Sequence, residues 1–231
     1  GDYDVDGASS TAIIGNYFKM IKQDFEVYIP DRESEGYGPS IKSFQNLINK
    51  KVNLIITVDC GTMSFDAIDF ANKNNLDVIV LDHHQSEINL PKAYSIINPN
   101  RFDDESKLNY LCAAGVCFMT LISINSALRK KGWFLEKKIK EPNLLDFLDL
   151  VSLGTICDVV PLIGLNRALV KQGLKIINLK KNLGLKTLID LCKIETKAST
   201  YHLGYIIGPR INAGGRVGKC SHGANLLLNN N

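Results

Sequence analysis

Short and almost uninterrupted apolar runs alternate with segments of helical periodicity through roughly the first hundred residues. The runs that have the length and flanking turn residues of β-strands are 25–30, 53–59, 77–82 and 94–99. Helical patterns lie at about 9–22, 40–50 and 64–75. Strands that are apolar throughout are typical of a parallel sheet covered on both faces by helices. The sequence therefore predicts an α/β fold, and we expect one further strand immediately before Gly1.

From about residue 112 the pattern becomes helical throughout. The apolar helical stretches there include AAGVCFMTLISINSALRK, NLLDFLDLVSLGTI, NRALVKQGLKIINL and LGLKTLIDLCK. We predict a division into a parallel-sheet part, residues 1–110, and a helical continuation of the same core, residues 111–231.

Composition excludes few function classes. Apolar residues make up 45% of the 231, enough for a sizeable core, and no run approaches the roughly 20 apolar residues of a membrane span. A net charge of +3 neither identifies nor excludes a nucleic-acid binder. Six cysteines without a C-x-x-C pair suit reduced core thiols in the cytoplasm. Because the chain starts with Gly inside a motif, we expect a piece of a longer protein without a signal peptide.

Acidic and imidazole side chains follow the predicted strands. The chain opens with three acids, and two later runs end in further polar groups: Asp2, Asp4, Asp6, Asp59, Asp82, His83 and His84. The carboxyl ends of parallel strands meet at one edge of a sheet, which is where such sheets bind ligands. We therefore expect these side chains to converge.

Clustered carboxylates repel one another and need cations beside them. Oxygen ligands mixed with one or two imidazoles suit manganese or another divalent ion better than a structural zinc. Such a set predicts a two-metal site of the kind that promotes phosphoryl displacement. On an extended or turning backbone Asp4 and Asp6 would point the same way, with Gly7 turning the chain into a helix that begins near Ala8.

A further acid lies in the helical half, within the apolar stretch LVSLGTICDVVPLIGLNR. Burying the charge of Asp158 there would be costly without a partner. The residue is either a helix-end cap or hydrogen-bonded core acid, or a metal ligand that returns to the sheet edge.

Basic residues suited to phosphate binding occur in two places. Arg32 follows the run 25–30, where its guanidinium could grip a phosphate through two hydrogen bonds, or could simply be solvated. Arg210 and Arg216 lie among five glycines in GPRINAGGRVGKCSHG. This segment is either a flexible basic loop or one whose glycines let backbone amides approach a phosphate.

The motifs DYDVDG, VDCGT, LDHH and SLGTICDVVPL, in this order, resemble the DHH phosphoesterase superfamily. Within it, the stretches similar to the RecJ group of bacterial exonucleases are PDRESEGYG (30–38), INPN (97–100), LGTICDVVPLIGLNR (153–167) and GPRINAGGRVG (208–218). The similarity runs essentially from end to end. It implies a hydrolase of single-stranded DNA that acts from the 5′ end in repair and recombination, with two divalent ions, manganese or magnesium.

The resemblance also implies residue roles. Metal ligation is carried over to Asp4, Asp6, Asp59, His83 and Asp158, with Asp2 a possible substitute for a ligand upstream of residue 1. Phosphate binding is carried over to His84, Arg32, Arg210 and Arg216. In this assignment Asp59 bridges both metals, and Arg32 and Arg216 recognise a terminal 5′ phosphate.

Two alternatives stay open beside the exonuclease. One is a DHH phosphodiesterase that acts on short oligonucleotides or cyclic dinucleotides, and the other is a non-catalytic DHH scaffold, which would tend to lose metal ligands. The resemblance further implies a DHH-associated domain and an oligonucleotide-binding domain outside these 231 residues. It names single-strand-binding protein or a helicase as partners, a bacterial cytoplasmic location and no membrane partner.

Overall fold

The computed structural model describes residues 1–32 and 34–228. The strands in these ranges are β1 (Leu54–Val58), β2 (Asp77–Leu81) and β3 (Ser95–Ile97). The α-helices there are α1 (Val5–Met20), α2 (Ile41–Asn49), α3 (Phe65–Lys73), α4 (Ala113–Lys130), α5 (Trp133–Glu136), α6 (Leu148–Cys157), α7 (Gly164–Ile177), α8 (Leu183–Leu191), α9 (Gly208–Val217) and α10 (His222–Leu228). A 3₁₀ turn (Leu144–Phe147) precedes α6, and a π-helical turn (His202–Ile207) precedes α9.

The sheet is parallel, with the strand order β1-β2-β3. One face is covered by α2 and α3, whose buried Phe44 and Ile68 belong to the same cluster as Ile55 and Val78 of the strands. The opposite face is covered by α1 and α4, whose buried side chains join Val58 in the larger core. The predicted α/β class with a parallel sheet is confirmed.

The prediction of a strand at 25–30 is wrong: these residues form neither helix nor strand. A strand needs a backbone partner, and a cavity of about 730 Å³ lies between residues 25–28 and residues 53–58 of the β1 side. The amino group of Gly1 donates to the carbonyl of Tyr28 at 3.0 Å, at the margin of this cavity.

The first helix begins at Val5 rather than near Ala8. Asp4 is its N-cap and accepts a hydrogen bond from the amide of Gly7 at 2.9 Å, which stabilises the helix start. Asp6 therefore projects from the first helical turn and not from an extended segment. Gly7 serves close packing, because a Cβ atom there would lie 2.5 Å from the carbonyl oxygen of Asp2.

The helical half packs around α1, which contacts α4, α6 and α10. Fully buried side chains from both halves of the chain share one cluster: Ile13, Tyr17, Leu121, Leu153 and Leu227. The core is thus continuous across residue 110, and the division of the chain at that residue stays a prediction. Among the described helices, none is both long and apolar enough to cross a membrane.

Helices α6 and α7 are antiparallel and in very close contact. The hydroxyl of Ser152 lies 3.4 Å from the carbonyl of Leu169, while a Cβ atom on Gly173 would lie only 2.0 Å from the carbonyl of Leu148. This contact fixes α6, whose C-terminal end carries Asp158.

Gly173→Ala is expected to lower the free energy of unfolding by about 2 kcal/mol, since the clash with backbone atoms outweighs the better helix propensity of alanine. Urea unfolding of the purified protein measures the change. Gly214→Ala is the matched control, because a Cβ there meets no atom closer than 3.9 Å. Equal stability of the two variants would contradict the close contact.

Candidate metal centre

Four elements bring the predicted ligands together: the start of α1, the ends of β1 and β2, and the C-cap of α6. Three groups of ligand atoms, each within 4.8 Å of one another, are Asp2–Asp4–Asp59, Asp6–His83–Asp158 and Asp59–His83–His84. Every carboxylate that the sequence singled out as a metal ligand belongs to one of them. Asp59 and His83 each belong to two groups, so they lie at the centre of the cluster.

Asp6 is held by the N-terminus of α4. Its carboxylate accepts hydrogen bonds from the amides of Ala113 at 2.7 Å and Ala114 at 3.0 Å, two groups that carry the positive end of the helix dipole. Complete burial and the neighbouring charge of Asp158 nevertheless raise the pKa of Asp6 to about 7. The amides position this acid, and a cation beside it would stabilise the charged form of its carboxylate.

Asp59 occupies a strained position at the end of β1. Its backbone has φ +60°, a left-handed conformation that acids adopt more readily than most residues. The Oδ1 atom is buried without a hydrogen bond, although it lies 3.3 Å from Nε2 of His83. Burial, and then the charges of Asp6 and Asp4, raise the pKa of Asp59 well above its usual range.

His83 lies among three acids. Its Nε2 atom is 3.3 Å from Asp59 and 3.7 Å from Asp6, and its Nδ1 atom is 3.7 Å from Asp158. Burial, and then the nearby charge of His84, lower the pKa of His83. The imidazole is therefore neutral at pH 7, the form in which it can donate a lone pair to a metal.

Asp158 and Asp2 complete the cluster. As the C-cap of α6, Asp158 puts a negative charge at the unfavourable end of a helix dipole, an arrangement that stability alone does not favour. Its carboxylate reaches His83, and burial together with the charge of Asp4 raises its pKa to about 6. Burial and Asp4 likewise raise the pKa of Asp2 to about 6, and Asp2 Oδ1 has no hydrogen-bond partner.

Asp82 organises the loop after β2, a role that the sequence did not reveal. The carboxylate accepts from the amides of Thr62, His83 and His84 and from the imidazole of His84 at 2.7 Å. Burial would raise its pKa, but the hydrogen bonds from His84 and Thr62 outweigh burial and hold the pKa below its usual range. His84 is thus engaged with Asp82 and half exposed.

The motif INPN also gains a structural role. Asn98 donates to the carbonyl of His84 at 2.9 Å, and Asn100 donates to the carbonyl of His83. Tyr37, within the stretch PDRESEGYG, also contacts this region, and its hydroxyl donates to the carbonyl of Asp59 at 3.1 Å. These contacts hold the backbone at Asp59 and His83, the two residues at the centre of the cluster.

The arginines differ in how closely they approach the cluster. The guanidinium of Arg32 lies over the ring of Tyr3 at 5.4 Å, next to the acids at the chain start. Arg216 follows Gly215, whose position allows α9 to approach the carbonyl of Tyr3. Arg210 instead donates to the carbonyl of Ile206 one turn earlier, and no contact joins it to the acids within the described chain.

Neither interpretation of 208–218, as a flexible basic loop or as a segment whose glycines let backbone amides approach a phosphate, agrees with the structure. Residues Gly208–Val217 form α9, and the preceding π-helical turn continues directly into it, so most of these amides are used within the helix. The glycines serve close packing instead: a Cβ atom on Gly215 would lie 3.2 Å from the carbonyl of Tyr3.

Comparison with known proteins agrees with this geometry. Residues 1–155, about two thirds of the chain, match the DHH family, N-terminal domain. The chain is 39% identical over its whole length to the single-stranded-DNA-specific exonuclease RecJ of Dickeya dadantii and 38% identical to that of Escherichia coli. It spans about two fifths of the length of these curated relatives.

Solved structures of RecJ proteins are also similar to this chain. A crystal structure of exonuclease RecJ bound to manganese superposes with a TM-score of 0.84 at 32% identity, covering 99% of this chain and 55% of that one. RecJ of Thermus thermophilus in complex with Mn²⁺ gives 0.81 at 30% identity, covering 100% of this chain and 32% of that one. With its acids and imidazole at one sheet edge and its first two thirds matching the family domain, this chain belongs to the DHH family.

Proposed function

We propose that the protein hydrolyses phosphodiester bonds of single-stranded DNA from a 5′ end with the help of divalent metal ions. The observation that carries the proposal is the cluster of mutually repelling acids around a neutral His83. Support also comes from the relatives, which are single-stranded-DNA-specific exonucleases, and from solved RecJ structures that contain Mn²⁺ or Mg²⁺.

The residues present fit two divalent ions. Carboxylate oxygens and one imidazole nitrogen form the donor set that suits manganese, and buried oxygens of Asp2 and Asp59 have no hydrogen-bond partner of their own. The ligands would be Asp4, Asp6, Asp59, His83 and Asp158, with Asp2 beside the first group. When bound, such ions supply Lewis-acid activation of water and offset the negative charge that develops on phosphorus.

The chain's own residues would orient the metal ligands and hold the substrate. Asp59 belongs to two of the three ligand groups, so its carboxylate would be the ligand shared between the ions. The amides of Ala113 and Ala114 keep Asp6 oriented, and Asp82 orients His84 toward incoming substrate. Arg32, which lies over Tyr3, and Arg216, which follows the Gly215 that packs against Tyr3, would hold the terminal phosphate and thereby set the polarity of digestion.

Digestion of 5′-labelled single-stranded DNA by the full-length protein with manganese tests the proposal. Release of labelled mononucleotide first, with little cleavage of dinucleotides or cyclic dinucleotides, is the expected result. Faster cleavage of the short or cyclic substrates would favour the alternative DHH phosphodiesterase. Absence of any manganese-dependent hydrolysis would contradict both enzymes.

Arg216→Ala is expected to reduce the preference for 5′-phosphorylated over 5′-hydroxyl strands about tenfold or more, because one charge-assisted contact to the phosphate is lost. The ratio of kcat/KM for the two substrates measures it. Arg129→Ala is the control, since Arg129 is exposed at the far end of α4 and paired with Glu141. An unchanged preference in Arg216→Ala would remove Arg216 from this role.

The remaining assignments follow from the proposed reaction. A 5′-to-3′ exonuclease of this kind serves DNA repair and recombination in the bacterial cytoplasm and takes its single strands from a helicase or from single-strand-binding protein. We also propose that residues 1–110 carry most of the metal ligands, and that the helical continuation 111–231 contributes Asp158 and the Gly-Arg segment.

A further inference from the structure

Two tyrosines form an exposed aromatic stack on the π-helical turn before α9. The rings of Tyr201 and Tyr205 lie 5.4 Å apart at 29°, and the residues are 60% and 75% exposed. The π-helical turn is His202–Ile207, a rare geometry that is frequent at functional sites. Leu203 and Ile207 of the same turn are fully buried, so the turn is fixed from below while the tyrosines face solvent.

A line of positive charge runs along α7. Arg167, Lys171 and Lys175 follow one another four residues apart, so they lie on adjacent turns about 6 Å apart, and all three are exposed. No acid occurs in α7, and none of the three forms an ion pair in the described chain. By contrast, Lys180 and Lys181 just beyond the helix pair with acids.

The charged line adjoins the segment that leads into the tyrosine stack. Asn178 lies on the face of α7 that carries Lys171 and Lys175, at i, i+4 and i+7. Its side chain bonds both backbone groups of Ala198, at 3.2 Å and 2.8 Å, three residues before Tyr201. This face of α7 is therefore the one that adjoins the segment leading into the tyrosines.

The surface leads to the metal centre. Because α7 runs antiparallel to α6, Arg167 is the one of the three basic residues of this line that lies nearest the end of α6 where Asp158 is found. The π-helical turn also contacts the end of α6: Gly204 packs on Ile156, and the thiol of Cys157 lies 3.5 Å from the carbonyl of Leu203. Tyr205 therefore projects from a turn that rests on the two residues preceding Asp158.

We propose that this basic-aromatic face, formed by Arg167, Lys171, Lys175, Tyr201 and Tyr205, binds single-stranded nucleic acid and guides it to the metal centre. The inference rests on the proposed function and adds a substrate track to it. Aromatic platforms that stack bases, flanked by cations that follow the phosphates, are how proteins bind single strands without sequence preference. Like charges on adjacent helix turns repel one another, and a strand of phosphates would relieve that repulsion.

Binding without metal tests the proposal independently of hydrolysis. The probe is a 3′-labelled oligothymidylate of about 20 nucleotides, titrated in EDTA with the full-length protein and followed by fluorescence anisotropy. Combining Tyr201→Ala with Tyr205→Ala is expected to raise the dissociation constant about tenfold or more, with an unchanged salt dependence. Combining Arg167→Gln, Lys171→Gln and Lys175→Gln is expected to lower the slope of log K against log salt by about 2.

Matched controls lie on other surfaces. Tyr94→Ala removes a tyrosine that is also 75% exposed, and the pair Lys130→Gln and Lys131→Gln removes exposed charges at the end of α4. These variants are expected to bind as the unmodified protein does. Tyrosine variants that bind normally, or that lose stability or change oligomeric state while binding normally, would overturn the proposal. If the variants of the basic-aromatic face lose strand binding, but the unmodified protein shows no hydrolysis with manganese, only the proposed function would be contradicted.

Discussion

Asp59→Asn is expected to reduce manganese-dependent hydrolysis by about 10³-fold or more while the fold stays intact. Asp59 belongs to two of the three ligand groups, so its loss would weaken both of the proposed ion positions. Asparagine has the shape of aspartate and tolerates the left-handed backbone that this position requires. Hydrolysis of labelled single strands and calorimetric titration with Mn²⁺ measure the two consequences.

The same variant should be more stable than the unmodified protein when no metal is present. Burial and the charges of Asp6 and Asp4 oppose ionisation of Asp59, and the amide removes that conflict. The melting temperature is expected to rise by roughly 2–4 °C per kcal/mol of repulsion relieved. Asp77→Asn, at the exposed opposite end of β2, is the control for both measurements. Retained hydrolysis in Asp59→Asn would refute the assignment of Asp59 as the shared ligand.

The pH dependence of stability is expected to reverse when metal is added. Burial and neighbouring acids raise the pKa of Asp2 and Asp158 to about 6 and that of Asp6 to about 7, whereas in the unfolded chain these acids titrate near 4. Between these values the folded state binds more protons than the unfolded state. Without metal, the free energy of unfolding therefore falls as the pH rises from about 4 to about 7.

With Mn²⁺ the sign changes, because the ions bind the deprotonated carboxylates and compete with protons for them. Stability should then rise over the same pH range, and metal binding near pH 6 should release protons. Thermal melts at fixed manganese across this range, and proton release measured in buffers of different ionisation enthalpy, check the expectation. Parallel pH profiles with and without Mn²⁺ would show that these acids do not hold the metal.

Residue pattern alone predicted the elements that carry the site. The apolar strands that end at Asp59 and before His83 were recognisable because both faces of the sheet are covered, which leaves no polar alternation. Convergence of their ends follows from parallel pairing. Asp158 could be suspected because a charge among apolar residues is costly, and the structure brings it to His83.

What the sequence could not reveal depends on partners distant along the chain. The amides that orient Asp6 belong to α4, more than a hundred residues away, and backbone groups leave no trace in residue type. The strand expected at 25–30 lacks a ladder partner, which composition cannot show. The glycines of α9 resembled a flexible loop, since a glycine that permits close packing looks the same as one that permits a turn.

The position of Asp158 late in the sequence determines when the cluster can assemble during protein synthesis. Asp4 and Asp6 leave the ribosome about 150 residues ahead of Asp158, an interval of roughly 8–30 s at ordinary elongation rates. Throughout that interval the nascent chain carries Asp4 and Asp6 without the proposed ligand Asp158. The proposed metal centre therefore cannot assemble on a partial product, and the proposed hydrolysis would first become available after the helical half has emerged.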